Sequence, residues 1–405
     1  MAALVVAVSF DRWEKTWFAL FFLFVLLHIP YVTVTGPQIF AFNPVVGFFP
    51  GITYDETMQV ENRLALYRWA TMAAAVVLFT IAVIIHRARS RNRLLYEDGA
   101  PVRAKIVHPA ELITGLLLLL ALAGVMTFSE ELGFSSSTSY IEAQLGGTIE
   151  TQHFIIAYPA QAVRREQAKQ LGLLHEYYFA TLARELRVVS VKKIHSFLYA
   201  TPAQKGTLVG AARTNIAKPW LWQIHFNLND LEASLKHELV HVMAAEFGFP
   251  LFRVGLNSGL IEGLATAVER VQGDETLHRA AAQIFSVNIR TDMKSLFSLS
   301  GFARAHPGVG YSLAGSFCRF LIDRYGIRRF KRLYRSGDFR LVYSNEIDIL
   351  LSEWRRHVEQ YRVDDAERQK AAYLYKRPTI FGKECARVLA NLNAETRRHL
   401  EQGQY

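Results

Sequence analysis

Residues 234–247 read SLKHELVHVMAAEF, and the interpretation of the whole chain starts from this stretch. Its HExxH motif places His237 and His241 four residues apart, with Glu238 directly after the first histidine. On an α-helix, residues four apart lie one above the other on a single face, so both imidazoles can reach one metal ion while Glu238 projects beside them. The stretch therefore predicts a helix that carries two metal ligands and a carboxylate.

A third ligand is needed, because a catalytic zinc site usually takes three protein ligands and leaves the fourth position for water. The candidate is Glu262, within GLIEGLA at residues 259–265. Two helices joined by a loop can present three ligands to one point. We therefore expect His237, His241 and Glu262 to bind Zn²⁺.

The first third of the chain predicts a membrane anchor. The protein is 51% hydrophobic with a mean hydropathy of +0.11, and three apolar segments stand out at about residues 17–34, 64–85 and 112–128. Each approaches the roughly 20 residues that cross a bilayer core. The first segment lacks a basic region before it and a clear cleavage site after it, so we interpret it as a retained helix rather than a signal peptide. Residues 1–133 are thus expected to lie in a lipid bilayer as three transmembrane helices.

The charges around these segments predict their orientation. Six Lys and Arg residues lie between the second and third segments, whereas residues 35–62 and 106–163 contain none. Because Lys and Arg mark the cytoplasmic side, everything after about residue 129 is expected to be extracytoplasmic. The formal net charge of +10 follows this topology, and nothing in the chain resembles a nucleic-acid-binding module, so no nucleic-acid partner is expected.

Beyond the anchor, the pattern predicts a mixed α+β domain. Residues 134–147, rich in Ser, Thr and Gly, are expected to form a linker, residues 148–345 the domain, and residues 346–405 a helical C-terminal region. Apolar periodicity predicts strands at 153–157, 188–199 and 220–228, a turn at 201–205, and helices at 160–186, 259–272, 277–285 and 313–325. Asp230 and Ser258 are expected to cap the two ligand helices, and His175 to lie on a helix surface.

The chain closely resembles the gluzincin metallopeptidases, in particular their aminopeptidase-type branch. The resemblance lies in HELVH, followed by twenty residues and then by Glu262 within IEGLATAVE. Residues 311–317, YSLAGSF, which lead into FLIDRYG, look like the tyrosine-bearing helix of that family. The likeness covers about residues 150–337. It implies a zincin-like α+β fold and zinc bound by the three expected ligands, with Glu238 as general base and Tyr311 stabilising the tetrahedral intermediate.

The same resemblance implies that an edge strand just before the metal helix binds substrate backbone, here through Trp222, Ile224 and Phe226. The amino-terminus-binding G-x-M-E-N type element of aminopeptidases is absent, and the corresponding residues 210–215 read GAARTN, so exopeptidase specificity is not implied. The function expected is that of a membrane-anchored, extracytoplasmic zinc peptidase acting on peptides or proteins.

Two other functions stay open at this point. The domain could be a non-catalytic zincin-fold binding module, with residues 364–404 as its docking surface. It could also be a protease acting at or within the membrane, although the metal helix does not lie in an apolar span. The sequence identifies neither the substrate nor the oligomeric state.

Several single residues also have two interpretations. Tyr311 could be plain core packing, and Asn257 a turn residue or a substrate contact, of which we favour the turn. Glu269 could orient a ligand, but solvation or pairing near Arg270 is the simpler interpretation. Cys318 and Cys385 could pair or remain free thiols.

Overall fold

The computed structural model describes residues 13–51, 61–97, 109–189, 192–269, 274–289, 291–298, 301–376, 395–396, 398–400 and 402. The chain divides into two compact units. The first comprises Met1–Thr53, Met58–Ile141 and Gly206–Gly210, and the second Tyr54–Thr57, Glu142–Lys205 and Ala211–Tyr405. Helices and a mixed sheet together make the fold α+β, as the sequence predicts. Cys385 and Arg270 lie outside the described residues.

The first unit contains the apolar helices. They are α1 Glu14–Thr35, α2 Glu61–Glu97 and α3 Pro109–Thr127, with a short hairpin of β1 Ala41–Asn43 and β2 Gly47–Phe49 between the first two. By length and composition, Lys15–Thr35 and Asn62–Arg87 are long and apolar enough to cross a membrane. All three predicted segments are helical, but the apolar part of α3, Ile113–Thr127, is shorter than such a span.

An aromatic cluster forms the described core of this unit. Phe40, Phe42 and Phe134 are buried, and the ring of Phe42 lies 5.1 Å from those of both Tyr67 and Phe134. Phe134 thus belongs to a packed core, and helix α4, Thr138–Leu145, follows it directly. The boundary between the two units falls within the predicted linker, residues 134–147. This stretch is not a flexible spacer, because Ile141 and Leu145 lie one helical turn apart and are fully buried.

The second unit is built on a five-stranded mixed sheet in the order β3-β4-β5-β7-β6. Strands β4, β5 and β7 run parallel, while β3 and β6 pair antiparallel at the two edges. The strands are β3 Gly146–Glu150, β4 Phe154–Pro159, β5 Ile194–Tyr199, β6 Ile216–Lys218 and β7 Gln223–Asn227. The three predicted strands are present: β4 begins one residue later and ends two residues later than predicted, while β5 and β7 are shorter than predicted. Strand β7 lies inside the sheet, and the edge beside it belongs to β6.

Helices cover the sheet and extend beyond it. In chain order they are α5 Arg165–Leu186, α6 Pro202–Val209, α7 Leu231–Met243, α8 Ser258–Glu269, α9 Asp274–Ser286, α10 Met293–Leu296, α11 Gly301–Arg304, α12 Pro307–Tyr325, α13 Ile327–Ser336, α14 Phe339–Tyr343, α15 Ile347–Val358 and α16 Asp365–Tyr375. Helices α5 and α7 pack side by side against the sheet. The predicted turn at residues 201–205 is instead the start of α6.

Glycines allow α8 and α12 to pack unusually close together. A Cβ atom on Gly263 would lie 2.6 Å from Cys318 Sγ and 2.9 Å from the Ala314 carbonyl oxygen. On the other helix, a Cβ on Gly315 would lie 2.6 Å from Thr266 Cγ2. A larger residue at either glycine would force the two helices apart. Cys318 is fully buried in this contact.

Candidate metal centre

Helix α7 carries the HExxH motif as predicted. Its apolar side, which includes Leu235, Leu239 and Met243, is fully buried in the main core. This packing fixes the rotation of the helix and turns the opposite side, with His237 and His241, toward α8. The two imidazole rings lie with their centroids 4.9 Å apart. The motif is therefore presented by a helix whose orientation the core determines.

The N-terminus of α7 differs from the prediction. Asp230 precedes the helix but caps no backbone N–H group with its side chain. The residue ends a short 3₁₀ turn, Leu228–Asp230, and its Oδ2 accepts a hydrogen bond of 3.2 Å from Asn227 Nδ2. The polar side chain thus joins the end of β7 to the start of α7 instead of capping the helix.

Asn257, rather than Ser258, caps α8. Its Oδ1 accepts from the backbone N–H of Leu260 at 3.2 Å, and its Nδ2 donates to the carbonyl oxygen of Phe297. Asn257 is 6% exposed, so it is a buried turn residue and not a substrate contact. This cap fixes the first turn of α8, and Glu262 follows directly at the start of the second turn.

Glu262 meets both histidines of the motif. Its Oε2 lies 3.4 Å from His237 Nε2 and 3.6 Å from His241 Nε2, and one ligand atom from each of the three residues lies within 4.8 Å of the others. Zinc bonds of about 2.1 Å in tetrahedral geometry would separate neighbouring ligand atoms by roughly 3.4 Å. The two measured separations, 3.4 and 3.6 Å, agree with this ligand-to-ligand distance. The three residues can hold a metal ion, and two imidazoles with one carboxylate suit Zn²⁺.

Glu269 supports the site from behind. Its Oε2 lies 3.2 Å from His237 Nδ1, so the Nδ1–H group can donate a hydrogen bond to Glu269 while Nε2 faces Glu262. Of the interpretations of Glu269, this contact favours the one in which it orients a ligand over simple solvation, while Arg270 lies outside the described residues. A signal was present in the sequence, because Glu262 and Glu269 are seven residues apart and lie on one face of a helix.

Carboxylates on both sides determine the protonation of His237. Burial disfavours the charged ring, but hydrogen bonds with Glu262 and Glu269 outweigh it and raise the pKa of His237 to about 10. Burial opposes ionisation of Glu262, yet the two histidines hold its pKa far below the usual range. In the absence of metal the site therefore stores a proton between its ligands, and metal binding must release that proton.

Glu238 lies in a low-dielectric environment beside these ligands. Burial outweighs the attraction of His241 and His237 and raises the pKa of the Glu238 carboxyl. A raised carboxyl pKa is typical of a group that accepts and returns protons near neutral pH. Lys205, which is fully buried, also acts electrostatically on Glu238, a contribution that the sequence pattern did not indicate.

Tyr311 lies at the same site. Helix α12 begins at Pro307, earlier than predicted, and this places Tyr311 in its second turn. The tyrosine ring lies 6.2 Å from that of His237 and packs edge-on against Phe302 at 5.2 Å. Tyr311 is 37% exposed, so it is not a plain core residue.

The side chains predicted to bind substrate are buried in the core of the protein. Trp222 is 5% exposed, and Ile224 and Phe226 are fully buried in the main core. Strand β7 is hydrogen-bonded on both sides, to β5 and to β6, so it offers no free edge. The expectation that residues 222–228 form the edge strand is therefore wrong. The edge position belongs to β6, Ile216–Lys218, which packs on α7.

Comparison of the chain with known protein families, with curated proteins and with solved structures gives no match.

Proposed function

We propose that this chain is a membrane-anchored zinc metallopeptidase that hydrolyses peptide bonds in extracytoplasmic peptides or proteins. The observation that carries the proposal is the convergence of His237, His241 and Glu262, with ligand-atom separations of 3.4 and 3.6 Å, beside the half-buried Glu238. The spacing of these residues and the position of Tyr311 also support the resemblance to gluzincins and, with it, a zincin-like fold.

A zinc ion bound by the three ligands would supply a water with a pKa near 7 and an electrophile for the substrate carbonyl oxygen. Glu238 takes a proton from the attacking water and returns it to the leaving amine. The raised pKa of Glu238 suits both transfers. A carboxylate with a pKa nearer neutral pH accepts a proton more readily than one with the ordinary pKa, and its acid form can still return that proton. The Tyr311 hydroxyl donates a hydrogen bond to the oxygen that becomes negative in the tetrahedral intermediate.

Strand β6 is the substrate strand of this proposal. It is the antiparallel edge next to β7, and it packs on the helix that carries the motif. An extended peptide can add to a free sheet edge through main-chain hydrogen bonds. Such binding selects an extended backbone more than a particular side chain, which suits an endopeptidase.

The location of the active site follows from two features. Two helices are long and apolar enough to cross a membrane, and the Lys and Arg residues concentrate between the second and third apolar segments. In this proposal α3, Pro109–Thr127, crosses the membrane as a third helix. Because the positive-inside rule places the Lys- and Arg-rich loop before it in the cytoplasm, the second unit then lies on the extracytoplasmic side. A compartment-sensitive reporter fused after Tyr405 tests this, and a cytoplasmic signal would contradict it.

The test of the activity compares the full-length protein, purified in detergent and loaded with zinc, with its Glu238→Gln variant on a peptide library. We expect the variant to bind one zinc ion per chain, as the parent does, and to lose cleavage by roughly 10²–10⁴-fold. The substitution keeps the size of the side chain and removes the base. His278→Gln serves as a control, because the described contacts of this buried residue are with Ser316, His357 and Tyr361 and not with a ligand.

Other outcomes would favour the alternative functions. Stoichiometric zinc without cleavage that depends on Glu238 would favour a zincin-fold binding module. Cleavage only of substrates embedded in a bilayer would favour a protease acting within the membrane. Absence of bound zinc would contradict every one of the metal-dependent functions.

A further inference from the structure

Helix α13 has an arginine face that nothing in the metal centre uses. Its apolar side, with Ile327, Phe330, Leu333 and Tyr334, is buried in the core. Its other side is exposed and basic. Residues 327–343 contain six Lys and Arg residues and a single acidic residue. We define the arginine face as the exposed residues Arg328, Arg329, Arg332, Arg335 and Arg340.

Most of this charge is not neutralised by side chains among the described residues. Arg340 lies 3.5 Å from Glu346, and Arg335 donates to the carbonyl oxygen of Phe247 at 3.3 Å. Within the described part of the chain, the guanidinium groups of Arg328, Arg329 and Arg332 form no ion pair and no hydrogen bond. Unpaired, clustered like charges repel one another, so a surface of this kind is stabilised by an anionic partner.

Exposed apolar side chains lie on the loop that packs against α13 and on α14, which follows α13 in the chain. The connecting loop, residues 248–257, joins the two ligand helices and carries Leu251, which is 73% exposed, and Phe252, which is 50% exposed. In α14, Leu341 is also 73% exposed. The loop packs on α13, because Gly255 lies against Tyr334.

The connecting loop has a defined conformation. The N–H of Phe249 donates to the carbonyl oxygen of Val254 at 2.8 Å, and that of Arg253 donates back to Phe249 at 2.6 Å. Arg253 adopts a positive φ of 55°, which closes the turn, and the rings of Phe249 and Phe252 stack with centroids 6.3 Å apart. These contacts hold Leu251 and Phe252 at the tip of the turn, where solvent reaches them.

We propose that the arginine face and the connecting loop together dock on an anionic lipid bilayer. The arginines bind the phosphate headgroups, while Leu251 and Phe252 enter the boundary between headgroups and acyl chains. A nucleic acid would use the charges but not the aliphatic tips. The bilayer uses both, and the same chain carries helices long and apolar enough to cross one.

Docking has a consequence for the metal centre, although the inference itself does not rest on the proposed function. The connecting loop begins at Gly248, seven residues after His241, and ends at Asn257, the cap of the helix with Glu262. Holding this loop on a bilayer would keep both ligand helices close to the membrane surface. Protein segments that emerge from the bilayer would then be the nearest substrates.

The test places a fluorophore on the tip of the loop in the full-length protein. Leu251→Cys in a Cys385→Ser background is labelled with nitrobenzoxadiazole, since Cys318 is fully buried and protected from labelling. The labelled protein is reconstituted in nanodiscs of phosphatidylcholine, with or without phosphatidylglycerol. Nitroxide groups on the lipid acyl chains then quench the fluorophore only if the loop enters the bilayer.

We expect strong quenching in discs that contain phosphatidylglycerol and weak quenching in discs that lack it. The triple variant Arg328→Glu, Arg329→Glu, Arg332→Glu should lower the ratio of docked to undocked protein at least about a hundredfold, since each basic residue near an anionic surface contributes about fivefold. High salt should have the same direction of effect. All three side chains are exposed, so we expect the triple variant to fold like the parent, which circular dichroism would check.

A matched control reverses three other exposed charges, with Arg164→Glu, Arg165→Glu and Lys169→Glu at the start of α5. Lys331 donates to the carbonyl oxygen of Arg187 just after the other end of α5, and the 22 residues of that helix separate the two sites by roughly 30 Å. The control should therefore quench like the parent.

Equal, weak quenching in both kinds of disc would overturn the proposal. Quenching that survives in the arginine triple variant would also overturn it. If the tip stays in water while the triple variant loses retention of single-stranded DNA, the arginine face binds nucleic acid and not lipid.

Discussion

Two histidines on neighbouring helices of the same unit have opposite protonation preferences. His175, on α5, places Nδ1 2.7 Å from the Leu171 carbonyl oxygen and Nε2 2.9 Å from Ser196 Oγ, and burial lowers its pKa to about 4. His237, on α7, lies between two carboxylates, and its pKa is raised to about 10. Both residues are largely shielded from water. The difference comes from the neighbours, which are neutral oxygen atoms in one case and carboxylates in the other.

The comparison shows what separates a structural histidine from a metal ligand. Both ring nitrogens of His175 already have hydrogen-bond partners inside the core, so neither is available to a metal ion. At His237 one nitrogen is oriented by Glu269, and the other faces the convergence of His241 and Glu262. A metal ion can replace the proton that His237 and Glu262 share, and each ligand atom then has the metal as its partner.

Replacing each of the two histidines with alanine should change zinc affinity very differently, and this is the largest effect we expect. Removing a ligand with His237→Ala should abolish stoichiometric zinc binding, because two remaining ligands do not complete a site of this kind. His175→Ala should keep zinc and instead lower the free energy of unfolding, since it leaves a cavity and an unpaired Ser196 hydroxyl. Isothermal titration with Zn²⁺ and chemical denaturation of both variants measure the two effects. Equal zinc loss in the two variants would contradict the comparison.

The next effect is the pH dependence of stability. The pKa of His175 in the folded protein, about 4, lies below the unfolded value of 6.5, so the unfolded state binds the proton first as the pH falls. Its contribution is complete above pH 6.5 and is lost between pH 6.5 and 4, by about 3 kcal/mol in total.

Denaturant unfolding of the metal-free protein across that pH range gives the measurement. His175→Gln should flatten the slope by close to one proton. His278 is a second contributor, since burial also lowers its pKa to about 4, so the parent slope exceeds that of a single group. An unchanged slope in the His175 variant would show that the ring is not buried in its neutral form.

A smaller effect on stability tests the close packing of α8 on α12, which positions Glu262 beside the histidines. Gly263→Ala places a methyl group against Cys318 Sγ and the Ala314 carbonyl oxygen, and such overpacking should cost about 1–3 kcal/mol of stability. Gly310→Ala, on the facing helix, is the control, because its Cβ would meet the nearest atom at an ordinary 3.4 Å. Thermal unfolding with and without zinc should show a loss only for the first variant.

The smallest effect is expected at Glu269. Glu269→Gln keeps an acceptor for His237 Nδ1 but removes its charge, so zinc affinity should fall by about tenfold, at the lower end for loss of an outer-shell partner. Competition with a chromophoric chelator measures this. Glu246→Gln, on an exposed carboxylate beyond the C-terminus of α7, should leave the affinity unchanged.

Local spacing explains which parts of the site the sequence could predict. The ligand set follows from helical periodicity and from a glutamate at the start of the next helix, and both features are local. Glu269 and His175 were predictable in principle. His175 shares one face of α5 with Ala168, Phe179, Leu182 and Leu186, and that face is buried.

Other features depend on contacts that local sequence does not encode. Strand β6 has only three residues, so no alternating pattern distinguishes it, and the order β5-β7-β6 decides which strand is the edge. Residues 134–147 have the composition of a linker, yet tertiary packing of Ile141 and Leu145 orders them. The cap at Asn257 depends on Phe297, forty residues away.

The central claim is that His237, His241 and Glu262 form one zinc site, and X-ray absorption at the zinc edge of the zinc-loaded, full-length protein tests it most directly. We expect one tightly bound zinc ion with two imidazole ligands and oxygen ligands at about 2.0–2.2 Å, both in the parent and in His175→Ala. His237→Ala should retain no stoichiometric zinc, so its zinc-edge signal should be lost. A spectrum without imidazole ligands, or one that both variants alter equally, would contradict the assignment.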